Sequence, residues 1–271
     1  MHYTGKTVLI TGGSSGIGLA AAKMFSSLGA NLAIFGRDKK KLRQALKQIE
    51  AKRILDGQKF ACFQLDVAVN EDVKKTMEQV VSDFGAPSIL INSAGMGGSF
   101  YFENVSYETF DQTVKINLYG TRNTIAALLP SMKMQGGHIV NISSLGGLIG
   151  SFGYSAYSAS KFGVVGFSEC LRSELKRYNI IVSVLCPADV DTPMLAESQQ
   201  ASPPETRALS KSAGLMQPEE VAQTLLKGMQ KGHSLIIPGW NPKFVYALNR
   251  LCPCLQEFVM DLIVRKTQKN C

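Results

Sequence analysis

Short apolar runs recur along the chain, separated by longer stretches in which apolar residues return every three or four positions. The runs are TVLIT (7–11), NLAIF (31–35), KFACFQLDV (59–67), SILIN (88–92), HIVNIS (138–143), IIVSVLC (180–186) and SLIIP (234–238). Most are apolar at consecutive rather than alternate positions, the pattern of strands covered on both faces. Between them, LAAAKMFSSLG closes on Gly29. NEDVKKTMEQVVSDFG opens with Asn70 as N-cap, puts Glu71 and Asp72 in its first turn and closes on Gly85. Long helices are also expected at about 106–134 and 155–177. This alternation predicts an α/β fold, a doubly wound parallel sheet of seven strands with helices on both faces. Such sheets bind ligands beyond the carboxyl ends of their strands, where the strand order reverses.

Length and composition narrow the picture. The chain has 271 residues, 45% hydrophobic and 18% charged, which suits one large domain. Residues 1–239 are assigned to that domain and 240–271 to a C-terminal extension. No linker, repeat or low-complexity tract interrupts it. No signal peptide is expected, and no apolar stretch reaches the roughly 18 residues of a spanning helix. The cysteines at 62, 170, 186, 252, 254 and 271 show no CxxC or Cys/His metal spacing. They read as reduced thiols of a cytoplasmic protein with no metal site. The net charge of +8 is dispersed except in RDKKKLR (37–43) and RKTQK (265–269). Without a reading motif this excludes a nucleic-acid partner. Each cluster is either solvated helix surface or a site, for a phosphate at the first and an anionic membrane at the second.

The candidate chemistry lies at strand ends. TGGSSGIG (11–18) follows the first strand, and its Gly12, Gly16 and Gly18 suit a tight turn, close phosphate approach and helix–strand contact. Ser14, Ser15 and Ile17 complete that cradle. After the second strand, Gly36 stands where an NAD enzyme carries an acid, and Arg37 follows, with Lys41 nearby. This favours the 2′-phosphate of NADPH/NADP; Asp38, able to reach a ribose hydroxyl, argues the other way. Asp66 and Val67 close the third strand, where the carboxylate either accepts from an adenine amino group or caps the turn. Asn92, Ala94 and Gly95 of NSAG end the fourth with side chains small enough for a cofactor to pass. Asn117 is a polar residue among apolar helical neighbours and needs a partner. In YSASK (157–161), Tyr157 and Lys161 share a helix face, so a lysine cation is expected to lower the phenol's pKa and make it a proton donor and acceptor. Ser144, thirteen residues before Tyr157, can hold the same substrate oxygen.

Taken in order, TGGSSGIG, NSAG, Asn117, Ser144 and YSASK resemble the motifs of the short-chain dehydrogenase/reductase family over about residues 5–240. The resemblance implies a Rossmann-type fold and a catalytic tetrad of Asn117, Ser144, Tyr157 and Lys161, with Ser143 as the neighbouring strand-end serine. Pro187, Val190 and Thr192 would hold the nicotinamide, and the long helices would build a homodimer or homotetramer. Ser93 and Ala188 depart from the family's usual NNAG and PG. Within the family, PADVDTPMLAES and PPETRALSKSAGLMQPEEVA are similar to the 3-ketodihydrosphingosine reductases, with a substrate lid at 189–216. This implies NADPH-dependent reduction of 3-ketosphinganine to sphinganine in sphingolipid biosynthesis, with Tyr157 as proton donor. Alternatives are the same chemistry on a steroid, retinoid or 3-oxoacyl ketone, or a non-enzymatic cofactor sensor, which the intact Ser144, Tyr157 and Lys161 disfavour.

The extension WNPKFVYALNRLCPCLQEFVMDLIVRK (240–266) places Phe244, Leu248 and Leu251 at helical spacing, then Leu255, Phe258 or Val259, and Leu262 beyond Pro253. Pro253, Glu257 and Asp261 rule out a span. The apolar face either packs on the domain or a second subunit, or forms a peripheral membrane contact with Arg265, Lys266 and Lys269 at an anionic interface.

Overall fold

The computed structural model describes residues 3–268. In chain order come β1 (Thr7–Thr11), α1 (Gly16–Ser26), β2 (Asn31–Gly36), α2 (Lys39–Glu50), β3 (Phe60–Gln64), α3 (Asn70–Phe84) and β4 (Ile89–Asn92). Then follow α4 (Tyr107–Val114), α5 (Gly120–Lys133), β5 (Gly137–Ile142), α6 (Ser155–Leu175), β6 (Ile180–Leu185), β7 (Asp189–Val190), α7 (Pro193–Ala201) and α8 (Pro204–Ala213). The chain ends with β8 (Leu215–Met216), α9 (Pro218–Gln230), β9 (Leu235–Ile236), α10 (Trp240–Leu251) and α11 (Pro253–Gln268).

Among the described residues, one seven-stranded sheet has the order β3-β2-β1-β4-β5-β6-β9. Every neighbouring pair in it is parallel. The order reverses between β1 and β4, which opens a crevice at their carboxyl ends. One apolar layer, including Val8, Ile10, Phe25, Leu32 and Leu225, fills the face under α1, α2 and α9. The other, including Leu9, Phe35, Val80, Leu90 and Leu128, fills the face under α3, α5 and α6. Adjacent residues of one strand thus feed opposite layers, which is why the runs are apolar at every position. Burying each such Leu, Ile or Phe contributes about 1.5–3 kcal/mol before chain entropy is set against it.

Three local features differ from the sequence-based expectation. α3 begins at Asn70 and its N-cap is Val69. Asp66 has already organised that turn, accepting the Ala68 N–H on its carboxylate and the Val69 N–H on its carbonyl. Asn70 turns its amide instead to Glu71. Second, the helix expected at 106–134 is interrupted by a π-helical turn at Lys115–Tyr119, with Asn117 buried inside it. Third, β7 and β8 pair as a separate short ribbon, Asp189 opposite Leu215 and Val190 opposite Met216. This ribbon, α7 and α8 stand over the crevice, and α11 packs on α8.

Candidate active site

The turn from β1 into α1 is shaped by what it must touch. At Gly12, with φ 65°, a β-carbon would stand 2.7 Å from the Ala94 nitrogen and the Ser93 oxygen. Gly18 lies against the Gly12 carbonyl, so helix and strand meet backbone to backbone. Thr11 Oγ1 accepts the N–H groups of Ser93 and Ala94, each at 3.1 Å, and ties the end of β4 to that of β1. The side chain of Ser15, the N-cap of α1, makes no capping hydrogen bond. A glycine-rich cradle, ending on a helix N-terminus whose N-cap side chain makes no capping bond, fits a dinucleotide pyrophosphate.

A continuous cleft of about 550 Å³ runs from this turn across the strand ends and under the C-terminal helices. Gly12, Ser14, Ser15, Gly16, Ile17, Arg37, Lys41, Asp66, Val67, Ala94, Gly95, Pro187, Val190 and Thr192 all line it, with Ser144, Tyr157 and Lys161. Gly18, Asn92 and Asn117 do not. Gly18 serves the helix–strand contact. Asn92 is a correction: it donates to Asn141 Oδ1 at 2.9 Å and accepts from Thr124 at 2.6 Å, a buried polar tie between strand ends and α5. Asp38 also lines the cleft, and one of its carboxylate oxygens serves α2. Its carboxylate caps α2, accepting from the Lys40 and Lys41 backbone N–H groups at 2.8 and 3.0 Å. Those two hydrogen bonds and the neighbouring lysines hold the carboxyl below its usual range. Of the exposed cations at that edge, Arg37 and Lys41 line the cleft.

The chemistry-bearing side chains converge between β5, α6 and the π turn. Asn117 donates to the Met96 carbonyl at 3.0 Å and to Ser160 Oγ at 2.9 Å, and accepts the Met96 N–H at 2.8 Å. Its amide therefore clamps the loop after β4 to α6, and the π turn is what carries it to that position. Ser143 turns away, donating to the Lys161 carbonyl at 2.9 Å. Ser144 stands near enough to the phenol to favour its ionised form, while its Oγ accepts the Gly146 N–H at 3.1 Å. Burial pushes Tyr157 up to about 12, partly offset by Ser144, and pushes Lys161 down to about 8. The lowered phenol pKa expected from the lysine is thus reversed. Lys161 Nζ donates to the Ile142 carbonyl at 2.9 Å and lies 5.7 Å from the centre of the Tyr157 ring. The phenol accordingly stays protonated, the form a proton donor needs.

Sequence reading missed Tyr154, whose ring lies 5.7 Å from that of Tyr157. It also missed the distal wall of the cleft, where Leu209 of α8, Val245 and Leu248 of α10 and Val259 and Ile263 of α11 meet. The helical spacing of the tail was visible; its wrapping over the site depends on packing against α8.

A strand-order crevice with a glycine cradle, leading to a protonated tyrosine beside a serine and a lysine, defines a nicotinamide-dependent oxidoreductase. The short chain dehydrogenase family model matches residues 6–203. A 3-dehydrosphinganine reductase of Danio rerio is 39% identical over 86% of this chain and 71% of its own. A 3-ketodihydrosphingosine reductase of Bos taurus is 38% identical over 84% and 70%. A 3-oxoacyl-[acyl-carrier-protein] reductase of Thermotoga maritima is 33% identical over 83% and 91%. Among solved structures, a short-chain dehydrogenase/reductase from Burkholderia phymatum in complex with NAD superposes with a TM-score of 0.82 at 24% identity, covering 94% of this chain and 96% of that one. The chain belongs to the short-chain dehydrogenase family, and is an oxidoreductase acting on a ketone or the corresponding alcohol.

Proposed function

We propose that the protein uses NADPH to reduce the 3-ketone of a long-chain lipid, 3-ketosphinganine, to the secondary alcohol. The observation that carries this reading is the cleft itself, which continues past Tyr157 into the apolar wall of α8, α10 and α11. That wall is built of aliphatic side chains, Leu209, Val245, Leu248, Val259 and Ile263, which suit an alkyl chain. NADPH is favoured because Arg37 and Lys41 line the ribose edge, and the one acid among them, Asp38, gives Oδ1 to the cap of α2.

The cofactor supplies the hydride. Tyr157 gives its proton to the ketone oxygen as negative charge develops there, and Ser144 donates to the same oxygen. The resulting phenolate lies near the Lys161 ammonium, whose charge stabilises it until a proton returns from solvent. Asn117 acts at one remove, by holding the loop after β4.

The same reading gives α10 and α11 a second surface. Their inner faces line the cleft, while Trp240, Leu251 and Phe258 on the outer faces are 87%, 86% and 63% exposed. Lys243, Arg250, Arg265 and Lys266 lie among them; Lys269, the remaining cation of the expected patch, is outside the described residues. No described helix is long and apolar enough to cross a membrane. A peripheral contact with an anionic cytoplasmic leaflet would set the lipid source beside the cleft. Tyr107, Tyr119 and Phe162, exposed along α4–α6, suit a homodimer or homotetramer.

The test is NADPH oxidation with 3-ketosphinganine in mixed micelles, against steroid, retinoid and 3-oxoacyl ketones, repeated with NADH. The highest kcat/KM is expected for 3-ketosphinganine with NADPH. A steroid or acyl ketone as the better substrate would overturn the reading.

A further inference from the structure

Over the crevice, β7 brings Asp189 to the lining of the cleft, a carboxylate that the reduction chemistry does not use. Its backbone is fixed by pairing with Leu215, and its Oδ2 accepts from Ser210 Oγ of α8. It lines the cleft together with Tyr154, Tyr157 and Ser210, and its charge reaches both tyrosine hydroxyls. Among the described side chains no lysine, arginine or histidine stands within ion-pair distance of it, the ion pairs there being Lys74–Glu71 and Lys115–Asp111.

Among the described side chains this partly buried carboxylate has one hydroxyl partner and no cation. Burial raises its pKa, so leaving it uncompensated has a cost that a cationic ligand would remove. Placing an anion beside the proton donor also works against the reaction, because Asp189 opposes the phenolate that Tyr157 becomes. A substrate carrying its own positive charge next to the ketone would neutralise it.

Building on the proposed lipid-ketone reading, we infer that Asp189 binds the ammonium on the carbon adjacent to the substrate carbonyl and so selects 2-amino-3-ketones over uncharged ketones. Asp189 lines the same cleft as Tyr157 and Ser144, so a substrate with its carbonyl oxygen on those two would offer an amine on the adjacent carbon to this carboxylate, with its alkyl chain toward α10 and α11. Ser210 holds the carboxylate from the lid side, which couples recognition of the amine to the position of α8. Steroid, retinoid and 3-oxoacyl ketones offer no such cation.

The experiment compares kcat/KM for 3-ketosphinganine with that for the matched hydroxy-ketone lacking the amine. It uses the full chain as wild type, Asp189→Asn and Asp189→Glu, and NADPH binding is titrated for each. A charge-assisted hydrogen bond predicts a wild-type preference for the amine of about 10- to 100-fold. In Asp189→Asn that ratio should collapse toward one, and Asp189→Glu should recover part of it. An Asn variant that keeps the wild-type ratio, or loses both ketones equally, would overturn the assignment of Asp189 while leaving the lipid-ketone reading intact. A wild type that reduces neither long-chain ketone would overturn both.

Discussion

Tyr157 differs from the phenylalanine that would replace it by one oxygen, and burial, Ser144 and Asp189 all act on that oxygen. Tyr157→Phe keeps the ring packed against Tyr154 and removes the proton. Turnover should fall by ~10²–10⁴-fold or more, while NADPH affinity measured by fluorescence titration stays near wild type. Near-normal turnover would remove the mechanism. Arg37→Ala addresses the cofactor instead. Losing one charge-assisted contact to a 2′-phosphate costs roughly 1.5–3 kcal/mol, so NADPH should bind more weakly and NADH almost unchanged. Equal weakening of the two would make Arg37 a packing residue. Single residues were legible in the sequence where their role is local. Gly12 belongs to a turn with a positive φ that its own motif announces, although its contact with Ser93 and Ala94 is not visible there, and Tyr157 and Lys161 need only a shared helix. Asn92 was not legible, because its partners, Thr124 and Asn141, are brought to it by the sheet and α5. The cap that Asp38 makes with Oδ1 was not legible either, because it depends on where α2 begins.

At the scale of elements, the strands were readable because a parallel sheet buries both faces and leaves continuous apolar runs. The π turn was not. Its extra residue changes no composition, yet it carries Asn117 to Met96 and Ser160. The tail is instructive for a different reason. Phe244, Leu248 and Leu251 were expected to share a face, but Leu248 looks into the cleft while Phe244 and Leu251 are exposed. α10 and α11 are apolar on two sides, and periodicity alone cannot say which side meets protein. The inner side predicts a chain-length effect. Ile263→Trp on α11 adds bulk to the distal wall, and overfilling an apolar site costs about 1–3 kcal/mol. Across a ladder of ketones of increasing alkyl length, kcat/KM should fall by roughly tenfold or more for the longest chains, and progressively less for shorter ones. A uniform loss at all lengths would mean that Ile263 supports the fold rather than the alkyl chain.

For the whole molecule, the proposed lipid substrate raises the question of how a water-insoluble ketone would reach a cleft beneath the C-terminal helices. The net charge of +8 draws the protein toward anionic lipid at long range, and it becomes directional where cations and exposed apolar side chains coincide. That coincidence falls on α10 and α11, where Lys243 lies 5.5 Å from the Trp240 ring and Arg250 precedes the exposed Leu251. Each basic residue at such a surface adds about 1 kcal/mol, and high salt weakens the attraction. The helices that wall the site would therefore also orient it against the bilayer. Flotation with anionic vesicles should carry the full-length protein upward at low salt and release much of it at high salt. Neutral vesicles should carry little. A chain ending at Gly239 removes both surfaces at once, so the sharper comparison is Lys243→Glu with Arg250→Glu, which reverses charge on the outer face and leaves the cleft lining untouched. That double variant should lose most of its flotation. If it floats like the wild type, or if the wild type stays in the soluble fraction at low salt, the outer face of α10 and α11 is a subunit contact, and the lipid must enter by another route.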